Sequence, residues 1–256
     1  MKKEKIINVM KRYEIKYRLT SEQLNFFLSR IGNHMKVDKY GLVSIASIYF
    51  DTKNYELITK SIEKPPFKEK IRLRSYGLAK KGSPVYLEIK RKYEDIVYKR
   101  RIETTEKEVD EYLSNDGEFN EEQISRELVA FKEAHRGLEA KYLIIYDRVA
   151  YYQDNSDLRI TIDQNPRYRT TDLNLHTSLE GTPLLKEGGA ILEVKVQHSI
   201  PLWLTKILTE GKIYKSSFSK VGEAHKLEMN KDASSIYQEL VMRNINKEGE
   251  QYGFII

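Results

Sequence analysis

The stretch "KIRLRSYG" (residues 70–77) decides how the rest of the chain is read. In a strand, successive side chains alternate faces, so Lys70, Arg72 and Arg74 point one way and Ile71 and Leu73 the other. Three cations then share one face with no anion between them. At a spacing of roughly 7 Å, neighbours repel by about 0.6 kcal/mol in water and about 2.4 kcal/mol at an effective dielectric of 20. On an open surface this pattern means little. In an enclosed space it requires something negative to fill the space.

The same one-sided charge recurs along the chain. After a turn around Lys81–Pro84, "VYLEIKRKY" (85–93) sets Glu88, Lys90 and Lys92 against Val85, Leu87 and Ile89. A hairpin turn at Glu94–Asp95 leads into "IVYKRRIE" (96–103). "RYEIKYRL" (12–19) carries Glu14, Lys16 and Arg18 on one face, and "LVSIASIYFDT" (42–52) is a more apolar strand. "KYLIIYDRVAYY" (141–152) presents Arg148 on the face of Tyr146 and Tyr152. "LRITIDQ" (158–164) presents Arg159, Thr161 and Asp163, and "AILEVKVQ" (190–197) presents Glu193 and Lys195. Helical spacing or capping marks 20–31, 54–62, 104–114, 120–135, 201–211 and 217–229, with a helical tail from Lys231. Roughly eight strands, antiparallel by connection length, predict an α+β fold with a dominant antiparallel sheet.

Bulk properties exclude several classes. With 44 Lys+Arg against 38 Asp+Glu the net charge is only +6, which alone does not indicate a nucleic-acid partner. There is no cysteine, hence no disulfide and no thiolate metal site. The basic N-terminus lacks an apolar h-region, and no apolar run is long enough to span a membrane, so a soluble cytoplasmic protein is expected. His34, His135, His176, His198 and His225 show no metal spacing, no Ser/His/Asp set is visible, and Gly188–Gly189 is a turn and not a P-loop. No repeat or linker divides the chain, so one domain over 1–256 is expected, with a core of about 8–225 and a helical tail over 226–256.

A half-buried antiparallel sheet ordinarily turns its charged face to water. Against that stand a thrice-repeated E-x-K (Glu14/Lys16, Glu88/Lys90, Glu193/Lys195) and an excess of strand cations. A closed barrel would gather these faces into one basic lumen. Arginine grips phosphate by paired hydrogen bonds and lysine as a point charge, while the interspersed carboxylates suit Mg²⁺ or Mn²⁺. Periodicity leaves open whether the barrel closes and which face lies inside.

"RYEIKYRL", "SIYFDT", "KIRLRSYG", "YLEIKRKY" with "VYKRR", "YDRVAYY", "ILEVKV" and "SFSK" (217–220) occur in this order. The series resembles the catalytic domain of the vacuolar transporter chaperone (VTC) polyphosphate polymerases, within the triphosphate tunnel metalloenzymes that include the CYTH-type triphosphatases. The resemblance covers about residues 8–225. It implies a closed antiparallel β-barrel tunnel of about eight strands with flanking helices. It further implies that Lys16, Arg72, Arg74, Lys90, Arg148 and Lys220 grip phosphate and serve catalysis, with Lys195 as a further phosphate contact. Glu193 would hold a divalent metal, Mn²⁺ or Mg²⁺, with Glu88 and Glu14 as helpers. Asp163 would partner an arginine or a metal-bound water. The implied partners are ATP, polyphosphate, pyrophosphate or triphosphate. No nucleic acid is expected, because the basic faces lack the exposed aromatic stacking pattern of single-strand binders, and no membrane span is expected in this chain. The implied reaction is polyphosphate synthesis from the ATP γ-phosphate. Hydrolysis of inorganic or nucleoside triphosphate on the same fold, or non-catalytic polyphosphate binding, are the alternatives.

Overall fold

The computed structural model describes residues 13–93, 96–114 and 123–234. The elements run β1 (Tyr13–Leu19), α1 (Ser21–Ile31), β2 (Lys36–Asp51), α2 (Glu56–Glu63), β3 (Phe67–Tyr76), β4 (Val85–Tyr93) and β5 (Ile96–Thr104). They continue with α3 (Glu106–Ser114), α4 (Gln123–Ala134), β6 (Glu139–Tyr152), β7 (Arg159–Arg169), β8 (Thr182–Pro183), β9 (Ala190–Val196), α5 (Leu202–Glu210) and β10 (Lys215–Ser216). A last helix, α6, covers 220–234. The expected hairpin turn at Glu94–Asp95, the first residues of the 120–135 helix, and the tail beyond 234 lie outside the described residues.

All strand pairs are antiparallel, in the order β10-β1-β9-β7-β6-β2-β3-β4-β5, with β8 on the side of β7. The eight long strands match the sequence expectation. The closed barrel does not: among the described residues the two ends of this path, β5 and β10, do not pair. The reason is visible at the seam. β10 pairs for only two residues with β1, and the chain then turns inward at Ser217–Ser219 to start α6. Side chains bridge where strands do not. Lys90 on β4 meets Glu14 on β1 at 3.3 Å, although five strands separate β4 from β1 along the sheet. The sheet is therefore rolled, with β1 and β4 facing each other, but it is not zipped shut by backbone hydrogen bonds.

Apolar residues on the convex side form two cores. One packs β1, β7 and β9 (Tyr17, Leu19, Ile160, Leu192, Val194) on α1 and α5 (Leu24, Phe27, Leu204, Leu208). The other packs β2, β3 and β4 (Ile48, Ile71, Leu73, Leu87, Ile89) on α3 and α4 (Val109, Tyr112, Leu128, Phe131). A third cluster fills part of the concave side, where Phe218, Val221 and Ala224 of the α6 segment meet Tyr49, Tyr142, Ile144 and Tyr146. Helix α1 begins as its sequence predicts: Thr20 Oγ1 accepts from Gln23 N at 3.3 Å, and Gln23 Oε1 accepts from Thr20 N at 3.1 Å. No described helix is long and apolar enough to cross a membrane.

Two strands outrun their sequence signal. β7 continues from Gln164 to Arg169 through Asn165 (φ +47°) and Pro166, residues that ordinarily end a strand. A register shift in the β6–β7 pair absorbs the irregularity. β2 starts at Lys36, and its first residues pair with Tyr151 and Tyr152 before a register shift. That extension is exposed and so lacks a one-sided apolar pattern.

Asp51 ends β2 fully buried and organises the entry to α2. Its Oδ1 accepts from Thr52 N (2.7 Å) and Leu57 N (2.9 Å), and its Oδ2 from Ile58 N (2.7 Å). Asp51→Ala strands three buried donors, so urea denaturation should show a loss of about 2–3 kcal/mol, with Asp51→Asn losing less.

Candidate active site

Strand register brings the charged parity onto the concave face. Arg72 lies opposite Tyr49 and Glu88, Arg74 opposite Ser47 and Tyr86, and Lys90 opposite Lys70 and Lys99. On this wall Glu88, 1 % exposed, is shared by three cations. Arg72 Nε donates to its Oε2 at 2.8 Å, Arg74 Nη1 stands 3.7 Å from the same oxygen, and Lys99 Nζ lies 2.6 Å from Oε1. Burial raises the Glu88 carboxyl, but the three cations override it and hold it at about 2. Arg72 also donates to Tyr49 OH (2.9 Å), and Arg74 to Ser47 Oγ and Tyr146 OH (3.2 Å each). Both guanidiniums are thus held in fixed orientation.

The facing wall is built the same way. Asp163, fully buried on β7, takes a bidentate pair from Arg148 (Nε–Oδ1 2.5 Å, Nη2–Oδ2 2.8 Å) and an ion pair from Lys220 at the start of α6. Burial raises its carboxyl, and Lys220 and Arg148 bring it to about 2. Next along the wall Glu193 binds Lys195 at 2.8 Å, Glu14 binds Lys16 at 3.4 Å, and Lys90 reaches across to Glu14. Burial again opposes ionisation of both glutamates. Cations led by Lys195 and Lys16 hold Glu193 well below the usual carboxylate range, and Lys90 lowers Glu14.

All ten residues singled out by resemblance for phosphate or metal therefore lie along this face. The metal set, however, does not converge as expected. Glu14 and Glu193 are diagonal neighbours across β1 and β9, each felt by the other's surroundings. Glu88 is committed to Arg72, Arg74 and Lys99 on the other wall. Among the described residues no three His, Cys, Asp or Glu side chains form a metal-holding group. Two carboxylates with the Thr161 hydroxyl, buried, without a hydrogen-bond partner among the described residues and opposite Glu193, fit a hard cation whose shell is completed by further oxygen ligands. Arg18 and Arg159, of the same parity, are exposed.

The face also holds residues outside that set. Lys70 opens the motif "KIRLRSYG" and shares the face of Arg72 and Arg74, yet the resemblance gave it no role. Its Nζ donates to Ser219 Oγ at 3.0 Å, and among the described residues no carboxylate pairs with it. Burial and the charges of Lys16, Lys90 and Arg72 pull its ammonium down to about 7, against the opposing effect of Tyr49. Burial resists ionisation of Tyr49, yet Arg72, Lys70 and Arg74 bring its phenol to about 7 as well. Tyr146 belongs to the face, as its parity with Arg148 predicts, and so does Lys99, which the register with β4 reveals. Among the described residues, nine cations of this face (Lys16, Lys70, Arg72, Arg74, Lys90, Lys99, Arg148, Lys195, Lys220) stand among the four carboxylates Glu14, Glu88, Asp163 and Glu193.

Glu88→Gln isolates the stabilising part of this arrangement. A carboxyl depressed from near 4.5 to about 2 contributes fully above its unfolded value and loses the contribution as pH falls through the folded one. The variant should lose roughly 3 kcal/mol at pH 7. Its stability should also vary less than the parent's between pH 4.5 and 2, as followed by urea titrations across that window.

Residues 11–228 match the VTC domain family. None of the curated proteins matches the chain. Among solved structures of similar fold, a Bacillus halodurans protein named as a candidate adenylate cyclase aligns with a TM-score of 0.52 at 12 % identity, covering 82 % of this chain and 96 % of that one. HpAC1 of Hippeastrum, named for adenylyl cyclase and described with a dominant triphosphatase activity, aligns with a TM-score of 0.49 at 17 % identity, covering 82 % and 92 %. At such identities the likeness is one of fold. The family match spans both charged walls and the segment that joins them, and the chain belongs to the VTC domain family.

Proposed function

We propose that this chain is a polyphosphate polymerase, transferring the γ-phosphoryl group of ATP to the end of a phosphate chain held on the basic face. The observation that carries this is the buried surplus of cations, with Lys70 left without a carboxylate among the described residues. The surplus is compensated only when an anion enters. Arg72 and Arg74 from one wall and Arg148 and Lys220 from the other offer fixed donors to equatorial phosphate oxygens. Lys16, Lys90 and Lys195 add point charges beside Glu14 and Glu193. A divalent ion, Mg²⁺ or Mn²⁺, held by Glu193 and Glu14 supplies further neutralisation of the phosphate oxygens when bound.

The state of the carboxylates favours phosphate over water as nucleophile. Glu14, Glu88, Asp163 and Glu193 are all paired with cations and all held below their usual range, which makes them weak bases. Water needs a base to give up its proton. A terminal phosphate oxygen is already anionic and needs none. In the transfer this oxygen bonds to the γ-phosphorus, the bond from γ-phosphorus to its bridging oxygen breaks, and ADP leaves with that oxygen. The protein contributes position and fixed charge. On this reading the chain acts as one domain, with ATP supplied from the cytoplasm.

Purified chain with ATP and Mn²⁺ or Mg²⁺ should yield acid-labile polymer and ADP. Release of orthophosphate alone would replace synthesis by hydrolysis. Binding without turnover would make the chain a polyanion-binding module. Glu193→Gln should keep triphosphate binding within a few-fold and lower turnover by about 10²–10³. Arg72→Glu should abolish both.

A further inference from the structure

Past Arg74 the concave face carries an aromatic cluster that the transfer step itself does not use. Tyr76 follows Arg74 by two residues on β3, so it has the same parity, and Tyr86 lies directly opposite Arg74 on β4. Arg101, opposite Glu88 on β5, lies over Tyr86, with its guanidinium carbon 4.5 Å from the ring centroid. Its Nη1 donates to Tyr76 OH at 3.3 Å, and the rings of Tyr76 and Tyr86 meet edge to face with centroids 5.8 Å apart. The three side chains therefore hold one another in place. Two features set them apart from core packing. Tyr76 is 49 % exposed although it stands beside Arg74, whose side chain is 6 % exposed. Arg101 is exposed too, and among the described residues no carboxylate pairs with it.

Resting on the polymerase reading, we propose that Tyr76, Tyr86 and Arg101 form a stacking platform for the purine ring of the nucleoside triphosphate. Tyrosine rings and the guanidinium plane both take a base face to face, without reading its edges. The half-exposed ring of Tyr76 and the guanidinium anchored to it offer such surfaces where the face opens to solvent. Two residues of strand put Tyr76 about 7 Å from Arg74, a gap that a ribose bridges. A base lying there would set the triphosphate inward along Arg74 and Arg72, where the fixed donors stand. Inorganic triphosphate has nothing to place on the platform, so the cluster favours a nucleotide over phosphate alone. One platform takes one base, whereas a single-strand binder needs a row of them.

Calorimetric titration of the full chain with the β,γ-imido analogue of ATP and with imido-bridged triphosphate, both with Mg²⁺, tests this. Tyr76→Leu keeps the bulk and removes the ring, and Arg101→Lys keeps the charge and removes the planar group. Each should weaken binding of the nucleotide analogue about fivefold or more and change binding of the imidotriphosphate by less than about twofold. Parental affinity for the imidotriphosphate also shows that each variant is folded. Tyr76→Phe, which keeps the ring, should stay within about twofold of the parent on both probes. Losses of equal size on the two probes, or no loss on the nucleotide analogue, would overturn the platform while leaving the polymerase reading standing. A parent chain that fails to bind the nucleotide analogue would overturn the polymerase reading and the platform with it.

Discussion

Sharing of one carboxylate among several cations, at three of the four carboxylates, is the constraint on which the concave face depends. Glu88 serves Arg72, Arg74 and Lys99, Asp163 serves Arg148 and Lys220, and Glu14 serves Lys16 and Lys90. One anion neutralises one charge, so sharing fixes the geometry of the cations without cancelling them. Were each cation given its own carboxylate, the walls would be more stable and would attract nothing. Were the carboxylates absent, repulsion between buried guanidiniums would open the sheet. The observed ratio sits between these. It stabilises the sheet enough to roll it and leaves a positive surplus for a ligand to complete.

Much of this was legible in the sequence because two-residue periodicity is a property of single strands. "KIRLRSYG" and "YLEIKRKY" state which residues share a face, and the structure places Arg72, Arg74, Glu88 and Lys90 together accordingly. What periodicity lacks is register. The three E-x-K pairs look equivalent as sequence, yet Glu88 is drawn to Arg72 and Arg74, while Glu14 and Glu193 face each other's lysines. That difference depends on which strand lies alongside, and so does the separation of Glu88 from the other two.

Closure was illegible for a related reason. Alternation says that a sheet has a charged side, not that its edges meet. Whether β5 and β10 pair depends on the last turns before α6, where "SFSK" leaves the sheet and crosses the concave side. Phe218 O accepts from Lys16 at 3.4 Å, Ser219 holds Lys70, and Lys220 holds Asp163. A short segment thereby does what a closing strand pair would have done, tying β1, β3 and β7 through side chains.

The placement of α6 also decides what the remaining space can hold. Phe218, Val221 and Ala224 pack on Tyr49, Tyr142 and Tyr146, so the tyrosine-rich part of the concave side is filled by protein. Lys16, Lys70, Lys90 and Lys195 lie outside this cluster and outnumber Glu14 and Glu193 beside them. An acyl chain would gain little there, since burial of apolar surface needs an apolar partner. A polyanion would gain at every residue. The apolar residues on this side of the sheet thus narrow the choice of ligand as much as the charged ones do, by occupying the ground on which another kind of substrate would have to bind.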